Sequence, residues 1–190
     1  SKGEGLGNQF LANIRECDAI AHVLRCFEDG DITHVEGRID PVADAETIET
    51  ELMLADLESV ERRLVNLAKK LRGGDQEVLD QDRLLRAAQA ALNEGKPART
   101  VKVEADDQRQ WRMLQLLTAK PVLYVCNVEE SKAATGNAQS DRVAEMARAQ
   151  GAATVVISAR IEEEISQLAE DEAAMFLEEM GLHEAGLDRL

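Results

Sequence analysis

The feature that most constrains the fold is a short apolar run that ends abruptly in polar residues. Residues 122–126, VLYVC, are rich in β-branched and aromatic side chains, and Pro121 stands directly before them. Such a run predicts a strand buried on both faces of a parallel sheet, and proline suits its start because no ladder donor is needed there. Ligands of open α/β sheets bind just beyond the carboxyl ends of strands. Asn127 and Glu130 follow the run and are therefore predicted to lie at a ligand site.

Further strands and helices surround this run in the sequence. Residues 19–27 and 154–157 are apolar and predict two more buried strands. Residues 8–15 and 137–149 have helical periodicity, and Gly151 is a suitable stop for the second helix. Strands that alternate with helices in this way indicate an α/β fold with a mostly parallel sheet.

Between the first two strands the pattern changes to that of a long helical hairpin. Asp44 is the predicted N-cap of its first helix, Gly73 and Gly74 form the predicted turn, and Asp75 is a suitable cap for the returning helix. Apolar residues recur at alternating spacings of four and three, as in the seam of a coiled coil. The seam consists of Met53, Leu57, Val60, Leu64, Leu67 and Leu71, and the returning helix offers Val78, Leu85 and Leu92.

The length of the hairpin predicts how the chain is divided. A helix from Asp44 to Leu71 would be about 40 Å long, since each residue adds about 1.5 Å. That is too long to pack wholly on a small sheet, so we expect the hairpin to project. The predicted domains are a helical insertion, residues 41–104, and an α/β domain formed by residues 1–40 and 105–190.

Basic residues cluster near the predicted tip of the hairpin, although the whole chain carries a net charge of −15. Two interpretations stay open: a solvated face with intrahelical ion pairs such as Glu58–Arg62, and a local patch that contacts phosphates. The cluster comprises Arg62, Arg63, Lys69, Lys70 and Arg72 before the turn and Arg83 and Arg86 after it.

Composition excludes several classes of function. The negative net charge opposes nonspecific binding to nucleic acid, so any such contact must be local. No apolar run approaches the length of a membrane span, and no membrane partner is expected. Cys17, Cys26 and Cys126 lie far apart without a CxxC pair, so we expect free thiols, no disulfide partner and a reducing cytoplasm. Cys26 and Cys126 are predicted to be buried, and His22 to be a core residue.

A strand followed by Asn-x-x-Glu resembles the base-reading motif of GTPases, Asn-Lys-x-Asp, with Val128 in place of Lys and Glu130 in place of Asp. This variant resembles the YchF family of Obg-related P-loop NTPases. Residues 1–15 resemble the tail of that family's second switch, and residues 155–159, VVISA, resemble the strand and Ser-Ala loop that close over the base. The resemblance spans essentially all 190 residues. It implies a partial, GTPase-like P-loop NTPase domain interrupted by an α-helical coiled-coil hairpin.

The resemblance also implies roles for individual residues. Glycines of the switch loop would be Gly3, Gly5 and Gly7, although a flexible loop ahead of a helix explains them equally well. The base-binding residues would be Asn127, Val128, Glu130, Ser158 and Ala159.

Glu130 is one methylene longer than Asp, so the paired hydrogen bonds to guanine should be lost. We therefore expect ATP to be preferred over GTP. Asn127 would supply side-chain hydrogen bonds, and the backbone at Val128 would read the adenine edge.

The catalytic parts of a P-loop enzyme do not occur in these residues. No G-x-x-x-x-G-K-[ST] motif is present in the 190-residue sequence, and by resemblance that motif and the Mg²⁺ ligands would precede Ser1, with a TGS domain after Leu190. We expect a fragment that binds no Mg²⁺ through its own residues and is inactive alone. The full-length protein would bind and hydrolyse ATP, or GTP, in association with the ribosome or RNA. The alternative is a non-catalytic module whose hairpin docks a protein or RNA partner.

Overall fold

The computed structural model describes residues 7–28 and 39–166, and these residues form two compact units. The hairpin unit comprises the described residues 7–20 and 46–121, and the sheet unit comprises 21–28, 39–45 and 122–166. The predicted insertion, residues 41–104, lies in the hairpin unit from residue 46 onward.

Six helices and three strands are assigned in the described residues, together with short 3₁₀ turns. The helices are α1 (Asn8–Arg15), α2 (Pro41–Leu67), α3 (Gln76–Asn93), α4 (Gln108–Met113), α5 (Ala138–Gln150) and α6 (Ala159–Ser166), and the strands are β1 (Ile20–Arg25), β2 (Val122–Asn127) and β3 (Ala153–Ile157). The predicted α/β class with an interrupting helical hairpin is confirmed.

Helix α2 begins before the predicted cap. The backbone N–H of Ala43 donates to the Asp40 carboxylate at 3.1 Å, and the N–H of Asp44 donates to the Asp40 carbonyl at 3.0 Å. The prediction that Asp44 is the N-cap is therefore wrong, and Asp40 takes that role. Pro41 explains the difference, since its fixed φ suits the first helical position, where no N–H donor is needed.

The turn and the second helix of the hairpin follow the sequence prediction. Helix α2 ends at Leu67, a 3₁₀ turn spans Leu71–Gly73, and Gly74 has a left-handed φ of 69°. The Asp75 carboxylate accepts the N–H of Glu77 at 3.0 Å, which confirms Asp75 as the cap of α3.

The hairpin core is built from the predicted heptad positions. Val60, Leu85 and Ala88 have no exposed surface, and Met53, Leu57 and Leu64 pack against this cluster. The next segment of the chain adds Trp111 and Leu114 to the same core, together with Ala98 and Leu116. Residues 105–121 therefore pack with the hairpin in this unit.

Helix α1 packs on the base of the hairpin. Leu11 of α1, Leu52 of α2 and Leu117 form a second apolar cluster, with Ile14 and Ile48 beside them. The side chain of Lys120 donates to the carbonyls of Arg15 and Cys17 at the end of α1. The predicted helix over residues 8–15 is confirmed.

The sheet unit contains three strands in the order β1-β2-β3. Strands β2 and β3 are parallel, from Leu123 opposite Ala153 to Asn127 opposite Ile157. At the other edge, Ile20 donates to the Pro121 carbonyl at 2.9 Å and Cys26 to the Asn127 carbonyl at 2.8 Å. Both strands advance equally between these two bonds, so β1 also runs parallel to β2.

Burial differs among the strands. Tyr124, Val125 and Cys126 of β2 are buried, as predicted. In β1 the described residues do not show burial on both faces, because Val23 is 61% exposed and only Leu24 is fully buried. That prediction is wrong for the described residues, since β1 lies at the edge of the described sheet. Helix α5 supplies Val143 and Ala147 to the core beneath Tyr124.

The remaining predictions concern single residues. Cys26 and Cys126 are buried, as predicted, whereas Cys17 is exposed. The His22 ring lies 5.9 Å from the Tyr124 ring, and burial lowers the pKa of His22 while the Asp44 carboxylate opposes the shift.

Among the described residues, no helix combines the length and apolar content needed to cross a bilayer. The spacing of Ala173, Phe176, Leu177 and Met180 predicts a last helix, but these positions lie outside the described residues.

Candidate functional site

A cavity of about 580 Å³ opens beyond the carboxyl ends of the strands in the sheet unit. Parallel strands bring the loops that follow them to the same edge of a sheet. All five residues predicted to bind a base therefore line this cavity. Its lining consists of Phe27, Glu28, Asn127, Val128, Glu129, Glu130, Ser131, Ser158, Ala159 and Arg160.

Asn127 connects the two loops predicted to hold the base. It is the last residue of β2 and lies opposite Ile157 of β3. Its side-chain oxygen accepts the backbone N–H of Ala159 at 2.9 Å. This bond fixes the orientation of the amide and leaves its nitrogen as the side-chain donor that can contact a ligand.

Val128 contributes its backbone rather than its side chain. The side chain is 2% exposed and packs in the core with Tyr124 and Cys126. The Val128 N–H donates to the Ile157 carbonyl at 2.8 Å. Of the two backbone groups at Val128, the carbonyl oxygen is therefore the one that can contact a ligand.

Glu130 pairs with a residue that sequence reasoning missed. Its Oε1 lies 2.9 Å from Nε of Arg160, which follows the Ser158-Ala159 dipeptide. The Glu130 side chain is 35% exposed and that of Arg160 78% exposed, so the attraction is reduced by solvent. The pair nevertheless gives the Glu130 carboxylate a partner on the opposite loop.

Ser158 directly precedes helix α6. Its hydroxyl accepts the N–H of Ile161 at 3.3 Å, and its carbonyl accepts the N–H of Glu162 at 3.0 Å. Ser158 is 2% exposed, so this side chain holds the loop in place, whereas the exposed Ala159 forms the surface of the cavity.

Phe27 is a second lining residue that the sequence did not reveal. It follows β1, and the Arg25 guanidinium lies 4.7 Å from the centre of its ring. The Arg25 Nε also donates to the Phe27 carbonyl at 3.2 Å. The signal that could have identified Phe27 is its place at the carboxyl end of the strand predicted over residues 19–27, a position like that of Asn127.

Asn137 links both loops to helix α5. Its side-chain nitrogen donates to the Cys26 carbonyl at 2.6 Å and to the Glu129 carboxylate at 3.1 Å. Its side-chain oxygen accepts the N–H of Ser140 at 2.9 Å, which caps α5. The sequence predicted a helix starting here but gave no sign of the contacts to residues 26 and 129.

Some basic residues of the hairpin have a hydrogen-bond or ion-pair partner, and the others form no ion pair with the described residues. Arg63 donates to the Leu114 carbonyl at 2.8 Å, and burial lowers its pKa. Carboxylates pair with Arg62 (Glu58), with Arg83 (Asp80 and Asp107) and with Arg86 (Asp82). Lys69, Lys70 and Arg72 are exposed and form no ion pair with any described residue.

Two other predicted features have limited structural descriptions. Gly7 occupies the N-cap position of α1 with an extended backbone, whereas Gly3 and Gly5 lie outside the described residues. Within residues 7–28 and 39–166, no group of three or more His, Cys, Asp or Glu side chains is arranged to hold a metal ion.

Comparisons with known proteins connect this geometry to a family. No protein-family model matches the chain. A protein named ribosome-binding ATPase YchF from Bacillus subtilis is 45% identical over 192 residues, covering 100% of this chain and 52% of the relative. Proteins of the same name from Haemophilus influenzae and Escherichia coli O157:H7 are 45% and 42% identical over 190 residues, with the same coverage.

A solved structure gives the same result. The Schizosaccharomyces pombe YchF GTPase matches with a TM-score of 0.86 and 30% identity, covering 100% of this chain and 52% of that one. The chain thus spans about half the length of the relatives that it matches. Identity of 42–45% over the whole chain, together with a shared fold, shows strong homology to the YchF family.

Proposed function

We propose that this chain supplies the base-recognition site and the helical hairpin of a ribosome-associated, nucleotide-dependent ATPase. The observation that carries the proposal is the bond from the Ala159 N–H to the Asn127 side chain at the mouth of the cavity. It joins the Asn-x-x-Glu loop to the Ser-Ala loop beside a space of about 580 Å³, which is ample for a purine. The names of the bacterial relatives support the ribosome and ATP as partners, and hence a cytoplasmic location.

The groups at this site favour adenine over guanine. Adenine presents an exocyclic amino donor, which the Val128 carbonyl can accept, beside a ring nitrogen that the Asn127 amide nitrogen can reach. The Phe27 ring offers an apolar face for stacking. Guanine would need a free carboxylate for its two donors, but Glu130 is long for this role and is paired with Arg160.

Competition for the site tests this preference. In the intact protein, unlabelled ATP should displace a fluorescent ATP analogue at least tenfold more effectively than GTP, a difference of about 1.4 kcal/mol. Glu130→Asp should improve GTP competition, because it restores the shorter carboxylate of the GTPase motif. Glu28→Asp makes the same chemical change at another lining carboxylate and should leave the preference unaltered. Equal displacement by GTP and ATP in the unaltered protein would contradict the proposal.

Phosphate chemistry is proposed to depend on groups beyond these residues. We expect no Mg²⁺ ligand from the cavity carboxylates, since Glu129 accepts a hydrogen bond from Asn137 and Glu130 lies beside the Arg160 cation. Mg²⁺ bound with ATP would neutralise phosphate charge, whereas the residues of this chain bind and select the base. The 190-residue chain alone should show no ATP turnover above buffer in a phosphate-release assay.

The switch proposed for residues 3–7 leads directly into helix α1, and α1 packs against the hairpin. Gly7 caps α1, and Leu11 of α1 packs against Leu52 of α2. A nucleotide-dependent shift of α1 would therefore displace apolar contacts at the base of the hairpin. Hydrogen exchange in α2 should differ between the ATP-bound and ADP-bound intact protein, and Leu11→Ala should reduce that difference.

The second candidate function is docking of RNA by the hairpin tip without any need for turnover. Lys69, Lys70 and Arg72 support it, because they are exposed and lack carboxylate partners among the described residues. Replacing all three by Gln should weaken binding to purified ribosomes and lower the salt dependence of log K by about two to three. Arg62→Gln with Arg86→Gln is the control, since these hairpin cations already have carboxylate partners.

A further inference from the structure

Asn137 lies at the point where the two loops of the cavity meet helix α5. Its side-chain nitrogen carries two hydrogens, and both have acceptors: the Cys26 carbonyl at 2.6 Å and the Glu129 carboxylate at 3.1 Å. The second of these bonds is charge-assisted and therefore stronger than a neutral hydrogen bond. One amide group thus joins two segments that are distant in the sequence.

These two segments carry the walls of the cavity. Cys26 directly precedes Phe27, which lines one side, and Glu129 lies between Val128 and Glu130, which line another. Cys26 also donates its N–H to the Asn127 carbonyl at 2.8 Å, which aligns the ends of β1 and β2. The spacing between the Phe27 ring and the Val128 carbonyl therefore depends on a few bonds, two of them from Asn137.

The oxygen of the same amide performs a separate task. It accepts the N–H of Ser140, while the Ser140 hydroxyl accepts the N–H of Asn137 at 2.8 Å, which completes a capping box. The side-chain oxygen of Asn137 caps helix α5, whereas its side-chain nitrogen binds the two loops. Asp and Ser cap helices about as well as Asn, so substitution can separate the two tasks.

We propose that Asn137 is a positioning residue for purine selection, holding the Phe27 loop and the Asn-x-x-Glu loop at the spacing that an adenine ring requires. The inference rests on the proposed nucleotide function. Asn137 lines no part of the cavity, so it acts through Phe27 and Val128 rather than on the base. A carboxylate at position 137 would keep the cap but would face the Glu129 carboxylate and the Cys26 carbonyl, and like charges would separate the loops.

The test measures purine affinity and turnover in the intact protein with Asn137→Asp and Asn137→Ser. Both variants should raise the Kd for ATP by about tenfold, a difference of about 1.4 kcal/mol, since both hydrogen bonds from the Asn137 nitrogen are lost. The ratio of GTP to ATP affinities should move toward one. The kcat at saturating ATP should stay within about twofold, because the phosphates are bound elsewhere, while KM rises with the Kd.

Ser140→Ala is the matched control, since it removes the reciprocal bond of the capping box and leaves the Asn137 donors in place. It should lower the melting temperature without altering purine selectivity. If Asn137→Asp binds ATP and GTP like the unaltered protein, Asn137 is a helix cap and the inference is overturned. If the unaltered protein fails to bind the fluorescent ATP analogue, the proposed function itself fails, which is a distinct result.

Discussion

In each unit, one polar side chain forms hydrogen bonds with residues that are distant in the sequence. In the hairpin unit, Asp56 accepts the N–H groups of Leu117 and Thr118, both at 2.8 Å, and the Thr118 hydroxyl at 2.7 Å. In the sheet unit, Asn137 bonds to Cys26, Glu129 and Ser140. Each residue ties together segments that the sequence keeps apart.

The surroundings of the two residues differ. Asp56 is 1% exposed, burial raises its pKa, and the hydrogen bonds from Thr118 and Leu117 oppose that shift. An ionised carboxylate can only accept, and all its partners are donors in a closed core. Asn137 is half-buried, both donates and accepts, and stands behind a cavity. A buried carboxylate whose partners are all donors therefore stabilises the fold, whereas an amide that both donates and accepts beside a cavity can also set the shape of that cavity.

The largest expected effect is that of Asp56→Ala. It would leave two buried backbone N–H groups and the Thr118 hydroxyl without their acceptor, so we expect a loss of about 3–5 kcal/mol in the free energy of unfolding. Urea denaturation of the intact protein followed by circular dichroism measures this loss. Glu58→Ala, on the exposed side of the same helix, should cost less than about 0.5 kcal/mol. A cost for Asp56→Ala as small as that control would remove the distinction between the two regions.

Thr118→Val sharpens the comparison with a smaller change. The Thr118 hydroxyl donates to Asp56 and accepts the N–H of Ala98 at 2.8 Å. Valine keeps the shape of threonine but loses both bonds, so we expect about 1–3 kcal/mol of destabilisation. The ratio of ATP to GTP affinities should remain unaltered. A shift in purine preference would show that the buried hydrogen bonds of the hairpin unit also affect base selection.

Ser140→Ala supplies the corresponding change in the sheet unit. Loss of half a capping box should cost about 1 kcal/mol. This is less than for Thr118→Val, because the Asn137 oxygen still caps α5 through a backbone N–H. The two variants are compared by thermal melting under identical conditions, and the opposite order would contradict the expectation that the more deeply buried network contributes more.

The last expected effect is a change in how stability depends on pH rather than a loss of stability at one pH. Burial lowers the pKa of His22 from its ordinary value of 6.5, so its contribution to stability is complete above pH 6.5 and decreases as the pH falls through the lowered value. The pKa shift of Asp56 has the opposite direction. Because its pKa is raised above the ordinary value of 3.8, Asp56 stabilises the folded state below pH 3.8, and this contribution is lost as the pH rises through the raised pKa. His22→Gln should flatten the stability profile below pH 6.5 by at most about 1.4 kcal/mol per pH unit. A slope identical to that of the unaltered protein would exclude His22 as a titrating group.

Local patterns in the sequence predicted much of the fold. The heptad seam predicted the buried positions Val60 and Leu85, and Asp75 predicted the start of α3. The predicted N-cap of α2 was wrong because Pro41 and Asp40 form a stronger starting signal than Asp44. The apolar run of β2 predicted both its own burial and the place of Asn127 at the carboxyl end of the sheet.

The site itself could be predicted only in part. Asn127 was predicted because it follows a strand and ligands of open α/β sheets bind beyond strand ends, whereas the Ser158-Ala159 loop was predicted from the family resemblance. Arg160 and Asn137 were missed, since nothing in their local sequence shows which loop they face, and Phe27 was missed although it ends a predicted strand. The division of the basic cluster was also not predictable, because the partners of Arg63 and Arg83, Leu114 and Asp107, come from a later segment.

The sequence by itself determined the elements of this protein, because periodicity, caps and strand ends are properties of neighbouring residues. Only the tertiary structure decided which polar groups meet across long separations: Asp56 with Thr118, Asn137 with Cys26, and Glu130 with Arg160. The physical reason is that a hydrogen bond or an ion pair requires its atoms within a few ångströms, and the path of the chain through space, rather than its local pattern, sets that distance.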